Sequence, residues 1–252
     1  MKILGRAVVA GLMLPWATGA QAAEAPRSDW QFSTTMYVWV SDLEGNLRTA
    51  GPVEPVDVDL SYGKVLKHLK FAGMGALQAR KDRLIFLADL SYVHLGADSG
   101  IGIRDDDLVE ADLDATTFTA SLLGGYRVAE GKVDVDLMAG GRLVVTDTDL
   151  VLSGPLRTVE GDATESWVDP ILAAHVGIPI GAKTTLAIYG DIGGFGVGSD
   201  LTWQAVIGVQ HRIGSNWQLS AGWRHYAVDY DKGQFLYDVK QSGPIIGARF
   251  DF

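Results

Sequence analysis

Gly243-Pro244-Ile245-Ile246-Gly247-Ala248-Arg249-Phe250-Asp251-Phe252 is the stretch that decides the fold. From Pro244 onward every second side chain is apolar, while Arg249 and Asp251 lie on the opposite face. Alternation with a period of two is the signature of a β-strand, because successive side chains point to opposite sides of the pleat. One greasy face and one charged face suit the wall of a barrel with lipid outside and polar groups inside.

The same alternation recurs along the chain and predicts strands near 30–40, 69–80, 84–95, 115–128, 132–146, 166–179, 184–193, 200–213, 216–230 and 236–252. It is clearest in Leu84, Phe86, Ala88, Leu90 and Tyr92, with Asp89 and Ser91 facing the other way. Val133, Val135, Leu137, Ala139, Leu143 and Val145 stand likewise against Asp134, Asp136 and Arg142. Trp217, Leu219, Ala221 and Trp223 oppose Gln218, Ser220, Gly222 and Arg224. Several segments are close to the roughly 9–11 residues that a tilted strand needs to cross a bilayer.

Short connections (Lys81-Asp82-Arg83, Ala129-Glu130-Gly131, Gly181-Ala182-Lys183, Gly214-Ser215) alternate with the long polar segments 41–68, 96–114 and 147–165. This asymmetry of short periplasmic turns and long outer loops predicts an all-β fold. The expected form is a closed antiparallel transmembrane β-barrel of about ten strands, with eight as the alternative and both termini periplasmic. Trp30 and Trp217 are expected in a periplasmic aromatic girdle, and Trp39, Trp167 and Trp203 in an outer one. A soluble β-sandwich with core tryptophans is the competing reading.

Lys2 and Arg6 precede the apolar stretch Ala7 to Trp16 and the small residues Ala20-Gln21-Ala22, which read as a secretory signal peptide over 1–22. Residues 23–252 then form a single barrel domain. No later run of about twenty apolar residues suggests a membrane-spanning helix. Mean hydropathy is only slightly positive, which is no objection, because a barrel conceals its apolar face by alternation. With no cysteine, an exported chain has no disulfide staple and must draw stability from closure and burial. The formal charge of −10, made more negative by loss of Lys2 and Arg6 with the leader, argues against nucleic acid as a partner.

Four features bear on chemistry. The run Gly193-Gly194-Phe195-Gly196-Val197-Gly198-Ser199-Asp200 lacks the helix that a dinucleotide-binding turn needs, since Leu201 onward alternates as a strand. It reads as a glycine-rich outer turn in which Gly193, Gly194, Gly196, Gly198 and Asp200 let two strands bend or pack closely. The acidic run around Asp105, Asp106 and Asp107 reads as a solvated loop, with divalent-cation binding the weaker reading. Arg80, Asp89, Arg142, Asp169, Asp191, Arg224 and Arg249 are expected to face the lumen as a charge network, with Gln204, Gln210 and Tyr189. Opposite charges in a narrow lumen are expected to pair, either as a structural plug or as a constricted path for small polar solutes. Finally, no histidine has the neighbours that hydrolysis requires: His211 and His225 are placed on the lipid side, His94 opposite Asp89, and His175 too far along its strand from Asp169. No catalytic residue, cofactor or defined metal site is assigned.

Gly247, Phe250 and Phe252 resemble the C-terminal signal by which bacterial outer-membrane barrels are recognised for assembly, although Ile245 stands where a polar residue is usual. Trp167-Val168-Asp169-Pro170, Tyr189-Gly190-Asp191-Ile192 with the glycine run and Leu201-Thr202-Trp203-Gln204, Trp223-Arg224-His225-Tyr226 and Gly243-Pro244 resemble a family of exported barrel proteins of Gram-negative bacteria. The resemblance is strongest from Trp167 to Phe252 and implies fold and outer-membrane location, with no activity. The expectation is a monomeric barrel with a largely filled polar lumen and a structural or envelope-interaction role. Outer-membrane lipid, lipopolysaccharide and the barrel-assembly machinery are its expected partners. A narrow porin-like channel is the alternative, and a lipid-acting enzyme comes third.

Overall fold

The computed structural model describes residues 29–48, 55–97, 110–153 and 158–252. The signal peptide and the acidic run at Asp105, Asp106 and Asp107 lie outside these residues. In chain order the elements are β1 (Gln31–Trp39), β2 (Leu43–Arg48), β3 (Val56–Leu60), α1 (Tyr62–His68), β4 (Leu69–Lys81), β5 (Leu84–Ala97) and β6 (Glu110–Ala129). They continue as β7 (Asp134–Ser153), β8 (Thr158–Pro179), β9 (Thr184–Gly194), β10 (Leu201–Ile213), β11 (Trp217–Lys232) and β12 (Phe235–Asp251).

β1 and β4 to β12 form a ten-stranded antiparallel meander, closed where β12 returns to β1 with Ser33 opposite Asp251 and Trp39 opposite Ile245. At the seam Phe252 N–H donates to Phe32 O at 2.9 Å and Phe32 N–H to Phe252 O at 3.3 Å. Closure satisfies every wall strand on both sides, the one way a sheet tolerates a solvent without hydrogen-bonding partners. The alternating apolar faces are turned outward: Phe86, Leu90, Leu122, Leu137, Leu172, Ile207, Leu219 and Ile246 are all exposed. This is the outer-membrane barrel arrangement, with ten rather than eight strands in the wall.

Around the periplasmic rim the aromatic rings run in contact. Trp30 meets Phe32 at 6.4 Å between centroids, Phe32 meets Phe252 at 6.1 Å, Phe252 meets Phe250 at 6.2 Å, and Phe250 meets Trp217 at 4.9 Å. Amphipathic rings favour the membrane interface, and here they also flank the seam. The outer girdle departs from expectation. Trp203 is exposed and meets His225 at a tilt, whereas Trp167 is buried and Trp39 lies under the Arg224 guanidinium. Both turn inward because they fall on the lumen parity of their strands, Trp167 with Asp169 and Trp39 with Tyr37.

Two of the three expected long loops contain the outer ends of wall strands. β6, β7 and β8 run for 20, 20 and 22 residues, about twice what a crossing needs. Their pairing continues from Gly125–Met138 out to Glu110–Ser153, so these strands project beyond the bilayer. β9, with 11 residues, only spans it. The segment 41–68, expected as loop, holds β2, β3 and α1. After β1 the chain stays against β12: Val40 N–H donates to Pro244 O and Asp42 N–H to Ser242 O, each at 3.1 Å. A Cβ at Gly243 would collide with the Val40 carbonyl, so only glycine admits this approach. β2 then pairs with the outer end of β12, and β3 adds to β2.

Candidate functional site

The lumen is built in tiers of different chemistry. At the outer end, Leu43 of β2 and Val56 and Leu60 of β3 pack with Val144, Ala163, Trp167, Val228, Phe235 and Val239 of the wall strands. Trp167 stacks on Tyr230 with centroids 4.1 Å apart and planes 20° from parallel. That contact joins β8 to β11 above the short β9–β10 turn. Val239 is 0 % exposed, and burying each such aliphatic side chain stabilises the fold by about 1.5–3 kcal/mol.

The glycine-rich turn closes the low side of the wall. Gly194 and Gly196 have φ of 87° and 74°, which suits glycine. A Cβ at Gly198 would strike the Val168 carbonyl and the Asp169 carboxylate. Ser199 N–H donates to Asp169 Oδ1 at 2.6 Å, and Trp167 Nε1 donates to Asp169 Oδ2 at 3.1 Å. Asp169, 0 % exposed, thus ties the turn to the tryptophan of the outer layer.

Beneath this lies a charged tier. Arg142, 1 % exposed, donates from Nη2 to Asp191 Oδ2 at 2.7 Å and from Nε to Ser121 Oγ at 3.1 Å. Asp191 Oδ2 also accepts from Tyr189 Oη at 2.7 Å and Gln204 Nε2 at 2.6 Å. Across the lumen Tyr37 Oη donates to Asp89 at 3.0 Å, Arg224 Nη1 donates to Tyr37 Oη at 3.5 Å, and the Arg224 guanidinium sits 4.4 Å from the Trp39 ring centre. Cation–π contact offsets part of the cost of taking that charge out of water.

Below this tier the lumen opens toward the periplasm as a cavity of about 700 Å³, lined by Arg80, Arg127, Arg212, Arg249, Asp136 and His175 among others. Asp136 accepts from Arg80 Nη2 at 2.9 Å and Arg127 Nε at 2.8 Å, and His175 Nδ1 is 3.4 Å away. Arg127 also reaches Asp134 at 3.1 Å. Arg249 donates to Asp251 at 2.7 Å and to Gln78 Oε1 at 3.1 Å.

All seven charges expected in the lumen therefore face inward, but they do not form one network. Among the seven, only Arg142 and Asp191 make a direct ion pair. Arg80 pairs with Asp136, Arg249 with Asp251, Asp89 with Tyr37, and Asp169 with neutral donors. Asp136, Arg127 and Tyr37 were missed as partners. Alternation had already put Asp136 on the face of Arg142, and that parity was the available signal. His94, on the outer surface as expected, lies 3.0 Å from Asp114, which Lys70 also approaches at 2.9 Å. His211 accepts or donates a hydrogen bond with Thr184 at 2.9 Å, also outside.

No protein-family model matches the chain, and no curated protein matches it in sequence. Among solved structures, the translocator domain of the autotransporter NalP from Neisseria meningitidis is 15% identical, over 91% of this chain and 90% of its own, with a TM-score of 0.44. The outer membrane protease OmpT from Escherichia coli is 10% identical over 90% of this chain and 98% of its own, with a TM-score of 0.49. Ail, the attachment invasion locus protein of Yersinia pestis, is 12% identical over 90% of this chain and all of its own, with a TM-score of 0.34. The likeness is one of fold alone, and the chain is a closed, ten-stranded antiparallel β-barrel.

Proposed function

We propose that the protein is a closed barrel serving the envelope in a structural or interaction role, rather than an open pore. The observation that carries this reading is the apolar layer across the outer end of the lumen, where Val228, Val239, Leu60 and Trp167 are buried against one another. A water path needs polar lining or space, and a close-packed apolar layer supplies neither. The exposed apolar band fits a monomer solvated by outer-membrane lipid and lipopolysaccharide, after insertion by the barrel-assembly machinery. A catalytic role finds no support in the lumen histidine: among the described residues no hydroxyl is bonded to His175, and its neighbour Asp136 is already held by two arginines.

Single-channel recording of the refolded barrel in a planar bilayer tests this. The expected result is silence, with insertion confirmed separately. Reproducible conductance steps that change with Asp191→Ala or Arg224→Ala would replace this reading with a narrow channel for small polar solutes. The periplasmic cavity favours that second reading, since it carries polar lining as far as Tyr189, whose hydroxyl bonds to Asp191 in the charged tier.

A further inference from the structure

The periplasmic cavity does not share the acidity of the chain. The protein carries a formal charge of −10, yet the cavity lining holds four arginines and His175 against three aspartates and the terminal carboxylate of Phe252. The carboxylates differ in availability, with the Asp134 and Asp251 side chains 34 % and 39 % exposed. The Asp136 side chain is 1 % exposed, sealed beneath Arg80 and Arg127, whereas the side chains of Arg80 and Arg249 are 17 % and 34 % exposed. Asp251 is engaged by Arg249, and Asp134 by Arg127, which it shares with Asp136.

The donors are not exhausted by these contacts. A guanidinium carries five N–H groups, and Arg80 and Arg249 each place hydrogen bonds through only two of their nitrogens. Arg212 lines the cavity with no side-chain hydrogen bond or ion pair among the described residues. Amides and hydroxyls of Gln210, Gln218 and Ser220 add neutral polar lining. A volume of about 700 Å³ lies within the range of small-molecule sites, but this lining is far too polar for a lipid chain.

We propose that this vestibule is a binding site, entered from the periplasm, for small oxyanions: carboxylates or phosphates read by the Arg212, Arg249 and Arg80 guanidinium forks. Planar guanidinium groups match both oxyanions through paired N–H donors. Arg212, which has no carboxylate partner among the described residues, puts a positive charge in this lining, and the low-dielectric wall focuses its field so that anions are drawn in. The site stands whether or not the outer layer ever opens, because it needs access from one side only.

The absence of cysteine allows a direct test. Gln210→Cys puts a single thiol in the vestibule, and Thr164→Cys puts one on the exposed outer face beside Asp147. In the refolded, lipid-reconstituted barrel, each is labelled with a sulfonate-bearing and with a trimethylammonium-bearing methanethiosulfonate. The sulfonate-to-ammonium rate ratio is expected to be at least about tenfold higher at Gln210→Cys, given the focusing by a charged cleft. Millimolar inorganic phosphate or succinate should slow the vestibule reaction and leave the outer one unchanged. Protection by phosphate alone assigns phosphates, by succinate alone carboxylates, and by both an unselective oxyanion site. Adding Arg212→Gln with Arg249→Gln should bring the ratio toward the control, in a barrel whose folding is checked by heat-modifiable migration. A ratio no higher than the control, or protection by neither anion, overturns the proposal.

Discussion

The two halves of the lumen solve the same problem in opposite ways. The outer half is filled by the chain itself: a hairpin of β2 and β3 and the stacked pair Trp167–Tyr230 leave an apolar layer with Val239 fully buried. The periplasmic half is left open and lined with arginines, glutamines and aspartates. Between them lie the Arg142–Asp191 ion pair and Tyr–Asp contacts too deep for water to screen. The difference teaches that a filled barrel need not be filled uniformly. The wall height decides which half can recruit a plug, because β6, β7 and β8 overhang the membrane on one side only.

The comparison is most easily broken in the middle tier. Arg142→Ala strands Asp191 as a buried, unpaired charge, and the cost is expected to be about 3–5 kcal/mol, read as a lowered urea midpoint of the refolded barrel. Trp167→Ala removes the ring that joins β8 to β11 and is expected to cost a similar or slightly smaller amount, about 3–4 kcal/mol within the usual range for such truncations. Its sharper consequence is functional: if the outer layer is the seal, this variant conducts in a planar bilayer while the parent stays silent. Gly198→Val pushes the β9–β10 turn off Val168 and Asp169, for a loss of about 1–3 kcal/mol, and faster proteolysis at that turn is the readout. Arg249→Gln should lie within about 1 kcal/mol of the parent, since its pair with Asp251 is a third exposed or more and solvent screens it. A large destabilisation there would mean that the vestibule is structurally as tight as the tier above.

Strand existence and facing were readable because a two-residue period is a local property. Leu84 to Tyr92 and Trp217 to Arg224 show on which face each side chain lies, and a closed wall keeps that parity throughout. The height of the wall was not readable in the same way. Above the membrane both faces of β6 to β8 meet water or other strands, so Asp147, Asp149 and Asp162 occupy positions that resemble loop. Trp39 and Trp167 were misplaced for a related reason. A tryptophan near a strand end suits a girdle, but parity put both in the lumen, one beneath a guanidinium and one against Tyr230.

While the choice of ten strands over eight came from the fold, the sequence by itself determined the closed antiparallel barrel, the lipid-facing residues and the inward placement of Arg80, Asp89, Arg142, Asp169, Asp191, Arg224 and Arg249. These follow from alternation and from lipid, which forces every apolar face outward and every backbone group into the wall. Only the tertiary structure decided who pairs with whom, and that the outer lumen is sealed while the periplasmic lumen stays open. Partners across a barrel come from strands far apart in sequence, as with Tyr37 and Asp89 or Arg142 and Asp191. Their meeting depends on strand register and tilt, and no local pattern encodes either.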